Sequence, residues 1–197
     1  MNSVMDIMFS MIIVAVLLLS AMQLDFNVKA SAIRMRHDLD TQENAKSFAE
    51  IIEWEFRKIG HRLERPHRAI SFADSRKIAF SYNKSMTGAY DSVYVEYGLS
   101  TGVDESAGGN RANIHFYRLE NKKEQSIALG VKDFLLCYYN ESGRKLPNPV
   151  PADSLSKIRE IEVALTMKSK ESIDGQYSYS TYRTRITPKN LLIKFSY

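Results

Sequence analysis

The stretch that decides the fold is Ile7–Leu24, IMFSMIIVAVLLLSAMQL, in which only Ser10, Ser20 and Gln23 are polar. A helix over these 18 residues is about 27 Å long at ~1.5 Å per residue, close to the thickness of a bilayer's hydrocarbon core. Such a helix is apolar on all sides, whereas the core helix of a soluble protein keeps a polar stripe. The stretch therefore predicts a transmembrane helix over about residues 7–24.

A cleavable secretory signal is the alternative for this stretch, because a signal also carries an apolar segment near the N-terminus. It would need a basic segment in front, but the first six residues contain no Lys or Arg and include Asp6. Orientation stays open, since Lys29, Arg34 and Arg36 follow the span and the positive-inside rule would place them in the cytoplasm. We interpret the stretch as a retained single-pass anchor.

The helix is predicted to continue beyond the membrane, because the first 59 residues contain neither glycine nor proline. Opposite its apolar side we expect two exposed ion pairs, Glu53–Arg57 and Glu55–Lys58. The apolar residues recur at helical spacing: Ala45, Ala49, Ile52, Phe56 and Ile59, with Phe48 and Ile51 beside them. The second half of the helix is therefore amphipathic.

The end of this helix is marked by Gly60, a left-handed C-terminal cap, and by Pro66 beyond it. The pattern predicts one long helix over residues 1–60, with about 50 helical residues and a length of roughly 80 Å. Two helices, broken somewhere between Asp38 and Gln42, are the alternative that the sequence leaves open.

Residues 61–197 are predicted to form a β-rich globular domain packed on the second half of the helix. Ile161, Val163, Leu165 and Met167 alternate with Glu160, Glu162, Ala164 and Thr166, which predicts a sheet with one buried face that the helix stripe could cover. Short alternating or aromatic runs of this kind are typical of strands. They lie at Lys77–Tyr82, Ser92–Tyr97, Asn113–Leu119, Gln125–Leu129, Val131–Tyr139, Ile158–Met167, Tyr177–Arg185 and Leu191–Phe195. The fold class is α+β, with an antiparallel sheet.

Composition and motifs argue against an enzyme. The only cysteine, Cys137, excludes an intrachain disulfide and a cysteine-based zinc site, and lies in an apolar run where we expect a small core residue. None of the motifs HExxH, GxSxG and GxxxxGK[ST] occurs. Asp104 and Glu105 could ligate calcium, but acidic residues are far sparser there than in an EF-hand loop. We therefore predict no catalytic residues, no cofactor and no metal.

Basic residues cluster at the predicted helix end. The cluster could contact lipid headgroups, an acidic partner or DNA, or it could be a solvated turn. Aromatic residues do not interleave with it as stacking on single-stranded nucleic acid would require, and the formal net charge of the chain is only +4, which argues against nucleic acid. The cluster comprises Arg57, Lys58, His61, Arg62, Arg65, His67 and Arg68, with Glu64 among them.

Several motifs in this order resemble those of the minor pilins and minor pseudopilins, the class with a prepilin-type N-terminal helix found in type IV pili and type II secretion machines. Asp6 stands just before the apolar run, and the segment 55–61, EFRKIGH, is similar to the end of the long helix in the larger minor members. The further motifs are Val93–Tyr97, Tyr117–Leu119, Leu129–Phe134, Tyr138–Gly143, Ile158–Val163 and Ile186–Leu191.

The resemblance implies a structural subunit of a helical assembly in the inner membrane, acting in a pilus or in protein transport. Its partners would be other pilin-like helices and the lipid bilayer, with the β-domain in the periplasm or at the cell surface. Members of this class lose a leader that ends in glycine, and no leader glycine precedes the apolar run here. A single-pass anchor whose β-domain binds an envelope partner or ligand, without forming a filament, is the alternative.

Asp6 is the residue that this resemblance points to for assembly. A carboxylate at the edge of hydrocarbon is costly unless it is paired, and in a helix bundle it can pair with a neighbour's N-terminal ammonium. An ordinary boundary residue facing headgroups is the simpler interpretation of the same aspartate.

Overall fold

The structure, a computed structural model, describes residues 2–85, 91–103, 112–126, 130–169, 172–173 and 175–192. The chain divides into two compact units, Met1–Asp40 and Thr41–Tyr197. Asp104 and Glu105, the two residues weighed as calcium ligands, lie outside the described residues. Within the described residues, no three His, Cys, Asp or Glu side chains group as metal ligands would.

One helix, α1 (Asn2–Phe56), runs through the N-terminal part of the chain without a break between Asp38 and Gln42, so the two-helix alternative is wrong. It ends four residues before the predicted boundary at residue 60, in tighter turns in which Ile59 N–H donates to Phe56 C=O at 3.1 Å. Gly60 has the expected positive φ of 74°, but its N–H donates to Ser81 C=O at 3.1 Å. Gly60 therefore joins the turn to a strand by this hydrogen bond. The sequence had suggested that Gly60 caps the helix, and that expectation is wrong.

Unit 1 is helical throughout its described residues, and its apolar side chains lie on the surface of the unit. Within the described part of the chain, α1 is the one helix long and apolar enough to cross a membrane; its most apolar 18-residue window has a mean hydropathy of 2.5. The hydroxyls of Ser10 and Ser20 donate to Ile7 C=O and Val16 C=O, both at 2.9 Å. Both serines are therefore satisfied within the helix, which suits a hydrocarbon environment.

Unit 2 contains a five-stranded antiparallel sheet, sheet A, in which the strands follow chain order. Three of its strands match predicted segments at Lys77–Tyr82, Ser92–Tyr97 and Asn113–Leu119, although the second is much longer than predicted. Its strands are β1 (Ile70–Ala73), β2 (Lys77–Asn83), β3 (Ser92–Val103), β4 (Ala112–Glu120) and β5 (Lys123–Ser126).

A second antiparallel sheet, sheet B, contains β6 (Val131–Tyr139), β7 (Glu160–Lys168) and β8 (Tyr179–Ile186) in that order. The sequence predicted a single sheet, whereas the strands among the described residues form two. The buried face of β7 is as predicted, since Ile161, Val163, Leu165 and Met167 are all at most 2% exposed. A second expectation is wrong: Cys137 lies half-buried on the opposite face of β6 from its core residues.

The prediction of a strand at Leu191–Phe195 is also wrong for its described residues, 191 and 192. These two residues belong to a 3₁₀ turn, Lys189–Leu192. The turn closes where Leu191 N–H donates to Pro188 C=O at 3.0 Å. Beside it, the Asn190 amide donates to the carbonyls of Arg57 and Ile59 at 3.3 and 3.1 Å. These carbonyls belong to the turn that follows α1, so the closing segment satisfies backbone groups of that turn.

The core of unit 2 lies between the sheets and the last turns of α1. The predicted stripe is confirmed, because Ala45, Ala49, Ile52, Phe56 and Ile59 are at most 2% exposed and Phe48 is 1% exposed, whereas Ile51 is 50% exposed. Aromatic rings connect helix to sheets: the ring centroids of Phe48 and Phe116 are 5.1 Å apart, and those of Phe56 and Phe80 are 5.6 Å apart, both edge to face. Edge-to-face pairs stabilise a core beyond the area they bury.

Candidate functional site

Asp6, the predicted assembly residue, lies exposed near the start of α1. No ion pair joins it to any of the residues that the structure describes, whereas Asp25, at the other end of the apolar stretch, accepts a 2.6 Å hydrogen bond from Lys29. The two aspartates that flank the apolar stretch therefore differ: one is paired within the helix and the other is available to a group from outside.

The apolar stretch itself is uncovered within unit 1. Its large side chains between residues 7 and 24 are exposed by 55% at Val14 and up to 70% at Met11. A contiguous apolar surface of this size is not stable in water and marks a membrane or protein contact. The apolar side chains on every face of the helix must be removed from water, and a single protein partner bound to one face would not achieve this.

Three cations of the basic cluster are engaged within the protein. Arg57 pairs with Glu53 at 3.7 Å, which confirms the predicted i,i+4 pair. The Lys58 ammonium lies 2.9 Å from the centroid of the Trp54 ring, and burial lowers the pKa of this lysine below its ordinary value. Arg62 donates from Nη1 to Ser85 C=O at 2.8 Å. These contacts leave the remaining arginines as the accessible part of the cluster.

Arg65 and Arg68 stand on either side of Pro66, in a turn where Arg68 N–H donates to Arg65 C=O at 3.0 Å. Both are exposed and line one cleft of about 290 Å³. His61 is exposed outside this cleft, and the side chain of His67 is outside the described part of the protein. The other residues that line the cleft are Leu63, Glu64, Ser81 and Ser92.

A buried ion pair between helix and sheet was missed by the sequence analysis. Arg118 of β4 donates to Glu55 of α1 in a two-pronged arrangement, from Nε to Oε2 at 3.0 Å and from Nη2 to Oε1 at 2.9 Å. The two residues are only 8% and 7% exposed. The predicted surface pair Glu55–Lys58 is therefore wrong, because Glu55 faces the core and Lys58 lies on Trp54.

The ion pair extends into a small network. The Tyr97 hydroxyl donates to Glu55 Oε2, and Arg118 Nη1 lies 2.7 Å from Glu120 Oε2. Burial and the Glu55 charge raise the pKa of Tyr97 far above its ordinary value, so it stays a neutral donor. Burial would lower the pKa of Arg118, but hydrogen bonds to Glu55 and Glu120 outweigh that effect and raise it. Tyr97 and Arg118 therefore both keep their protons at neutral pH.

Helical spacing contains the signal that would have found Glu55. It follows Ile52 by three residues and precedes Ile59 by four, so it belongs to the buried stripe. Arg118 follows Phe116 by two residues in β4 and so faces the same side of the strand. An acid in the stripe and a base on an inward strand position are the pattern of a buried pair.

Comparison with known proteins adds one likeness. No family model matches the sequence, and no curated protein matches it. Among solved structures, the chain is similar to a type IV-like pilin from Thermus thermophilus, with a TM-score of 0.49 and 10% sequence identity over 76% of this chain and 95% of that one.

Proposed function

We propose that this chain is a structural subunit, a minor pilin or pseudopilin, of a membrane-anchored helical assembly of the type IV pilus or type II secretion kind. In this proposal the N-terminal helices of neighbouring subunits pack together, and the β-rich unit stands outside the membrane, in the periplasm or at the cell surface. The chain acts by docking and carries out no catalysis.

The observation that carries this proposal is the apolar part of α1, which no other part of its own unit covers. Its most apolar window is 0% buried, and the two serine hydroxyls within it are bonded to helix carbonyls. Apolar helices attract one another in lipid by close packing and interhelical hydrogen bonds, so the same surface serves bilayer and neighbouring helices. A subunit that moves from membrane to filament needs a surface of this kind.

Asp6 supplies a reason for assembly to be favoured over dispersion in the bilayer. A carboxylate at the membrane edge is unfavourable while it is unpaired. Pairing with a cation of a neighbouring subunit, such as its N-terminal ammonium, relieves this cost only in the assembly. Asp6 has no such partner among the described residues of its own chain, which supports this role.

Cysteine crosslinking in native membranes tests the proposal. A Leu17→Cys variant in a Cys137→Ser background should form crosslinks to copies of itself or to pilin-like partners. Asp6→Ala should remain in the membrane fraction, because removing a carboxylate favours insertion, while crosslinking falls severalfold. Asp25→Ala is the matched control and should crosslink as the parent does, because Asp25 is already paired with Lys29. Membrane-inserted protein without crosslinks at residue 17 or at other apolar positions of α1 would favour the non-assembling anchor instead.

A further inference from the structure

The cleft between Arg65 and Arg68 has the composition of an oxyanion site. Neither guanidinium makes an ion pair or side-chain hydrogen bond with the residues that the structure describes. The hydroxyl-bearing residues Ser81 and Ser92 line the same cleft. Guanidinium groups bind carboxylates and phosphates through two parallel hydrogen bonds, and nearby hydroxyls add donors.

The cleft is not uniformly basic. Glu64 contributes one carboxylate to its lining, and Leu63, which is half-buried, contributes an apolar side chain. Two cations, one anion and one apolar contact define a surface that matches a mixed peptide segment. A flat layer of lipid phosphates would meet the Glu64 carboxylate and would leave Leu63 without a contact.

We propose that this cleft binds residues 38–43, DLDTQE, of a second copy of the chain. This segment contains no Lys or Arg, and Asp40 and Glu43 are its exposed carboxylates for the cleft, since Asp38 already has a partner within its own chain. Leu39 lies between its aspartates and is 54% exposed, so the segment presents an apolar side chain for Leu63. Charge and hydrophobic contacts therefore match on both sides of the interface.

This inference rests on the proposed assembly and identifies one of its contacts. The contact is heterologous, because the cleft and the acidic segment are different surfaces of the same chain. A contact of this kind repeats from subunit to subunit and generates a ring or a helical filament. It would add order along the assembly to the attraction between apolar helices.

A charge exchange between two full-length variants tests the contact. The first variant carries Arg65→Glu and Arg68→Glu, and the second carries Asp40→Lys and Glu43→Lys. In detergent micelles at low salt, each variant alone should self-associate about tenfold more weakly than the parent chain, because like charges meet across the interface. Mixing the two, each with its own affinity tag, should restore co-purification, since the exchanged charges are again opposite.

The matched control carries Arg144→Glu and Lys157→Glu, an equal change of charge at two exposed residues. It should associate as the parent chain does. Circular dichroism verifies folding, and Arg65→Gln with Arg68→Gln replaces the reversed pair if that variant does not fold. Unchanged association of the Arg65/Arg68 variant, or lost association that mixing does not restore, overturns the proposal. Two further results also overturn the proposal. In one, inorganic phosphate added in place of the second variant restores the association of the first variant. In the other, the first variant binds phosphatidylglycerol vesicles and does not bind the second variant.

Crosslinking at residue 17 distinguishes this failure from failure of the proposed function. If the Arg65/Arg68 variant still crosslinks through Leu17→Cys in membranes, while the charge exchange has no effect on association, the assembly stands and only the cleft contact is wrong. If crosslinks are absent from every variant and from the parent background, the assembly itself is wrong and the contact falls with it.

Discussion

Glu55 and Arg118 bring opposite charges into the interior of unit 2, where each depends on the other. Removing two ions from water is costly, and only their mutual hydrogen bonds and attraction offset that cost. The pair joins the last turn of α1 to strand β4 of sheet A, so it fixes which face of the helix meets the sheet. We expect the pair to contribute to the choice of packing more than to net stability.

We expect Glu55→Ala to destabilise unit 2 by about 3–5 kcal/mol, because Arg118 then lies buried without its main partner. The double variant Glu55→Met with Arg118→Met should cost clearly less, since no uncompensated charge remains in the core. Urea denaturation of a soluble fragment that begins at Thr41 measures both. If the double variant proves as unstable as the single one, the cost comes from lost packing and not from the stranded charge.

The environment of Tyr117 predicts how the stability of unit 2 depends on pH. Its ring lies over Gly98 of the neighbouring strand, where an added Cβ would come within 2.5 Å of the Tyr117 hydroxyl oxygen. Burial, together with the hydrogen bond that its hydroxyl donates to Glu96 at 3.0 Å, raises the pKa of Tyr117 to about 12. The unfolded chain loses this proton near pH ~10. The contribution to stability is therefore complete below about pH 10 and is lost as the pH rises toward 12.

Urea midpoints between pH 9 and 12 measure this effect in the same fragment. Stability should fall as the pH rises, and Tyr117→Phe should fall less steeply, because one group fewer releases a proton on unfolding. Below pH 9, the urea midpoint of Tyr117→Phe should be somewhat lower than that of the unsubstituted fragment, since a hydrogen bond is lost. Equal slopes for both proteins would show that the Tyr117 hydroxyl does not hold its proton more tightly in the folded state.

At this scale the sequence identified apolar core residues better than polar ones. Ile52, Phe56 and Ile59 were placed in the core because burial of apolar side chains follows helical periodicity directly. Glu55 was placed on the surface because charge usually indicates exposure, and only the position of Arg118 in the folded sheet shows that a buried partner exists. Cys137 was misplaced because an apolar run does not reveal which alternate residues of a strand face the core.

Among the structural elements, the second half of α1 decides how unit 2 packs. Phe56 is fully buried and lies 5.6 and 5.8 Å, centroid to centroid, from the rings of Phe80 and Tyr97. Trp54, two residues earlier, is 62% exposed on another face of the same helix. Phe56 and Trp54 therefore provide a buried and an exposed aromatic ring on the same helix.

Phe56→Ala should lower the stability of unit 2 by about 3–5 kcal/mol, because it leaves a cavity among aromatic rings. Trp54→Ala is the control in the same helix and should stay within about 0.5 kcal/mol, since its ring is mainly in contact with solvent and Lys58. Thermal unfolding of the two variants of the Thr41 fragment compares them. An unchanged melting temperature for Phe56→Ala would mean that the helix meets the sheets through another face.

Strands were easier to predict than the sheets they form. Alternation shows that β7 has one buried face, but it does not show which strands are its neighbours, so the division into sheets A and B was missed. The closing 3₁₀ turn was missed for a related reason. Asn190 bonds to carbonyls of residues 57 and 59, more than 130 positions earlier, and no local pattern records so distant a partner.

For the whole molecule, the division at residue 40 separates two units that differ in how their apolar side chains are covered. Unit 2 has its own core, which includes the helix residues from Thr41 onward, whereas the apolar side chains of unit 1 are exposed. The sequence predicted the change from an all-round apolar helix to an amphipathic one, but it placed the domain boundary at residue 60 and not at residue 40. It did not separate Arg62 from Arg65 and Arg68, because the carbonyl that Arg62 contacts belongs to Ser85, 23 residues further along the chain.

A fragment of residues 41–197 should be soluble without detergent and should unfold in a single cooperative transition, because it keeps every buried helix residue. The full chain should require membranes or detergent. A fragment of residues 51–197 is the control: it lacks Ala45, Phe48 and Ala49 and should be poorly folded. Analytical gel filtration and circular dichroism compare the three proteins. Soluble full-length protein without a partner would contradict the membrane anchor.

The buried Glu55–Arg118 pair has a practical consequence for genetic studies of this protein. Screens for contact sites commonly replace each charged residue by alanine, on the assumption that charged residues lie on the surface and that their loss leaves the fold intact. At residues 55 and 118 that assumption fails, and a defective strain would contain less folded protein. Steady-state protein levels should therefore accompany any such screen, and a defect at Arg65 or Arg68 with normal abundance is the phenotype that identifies a binding surface.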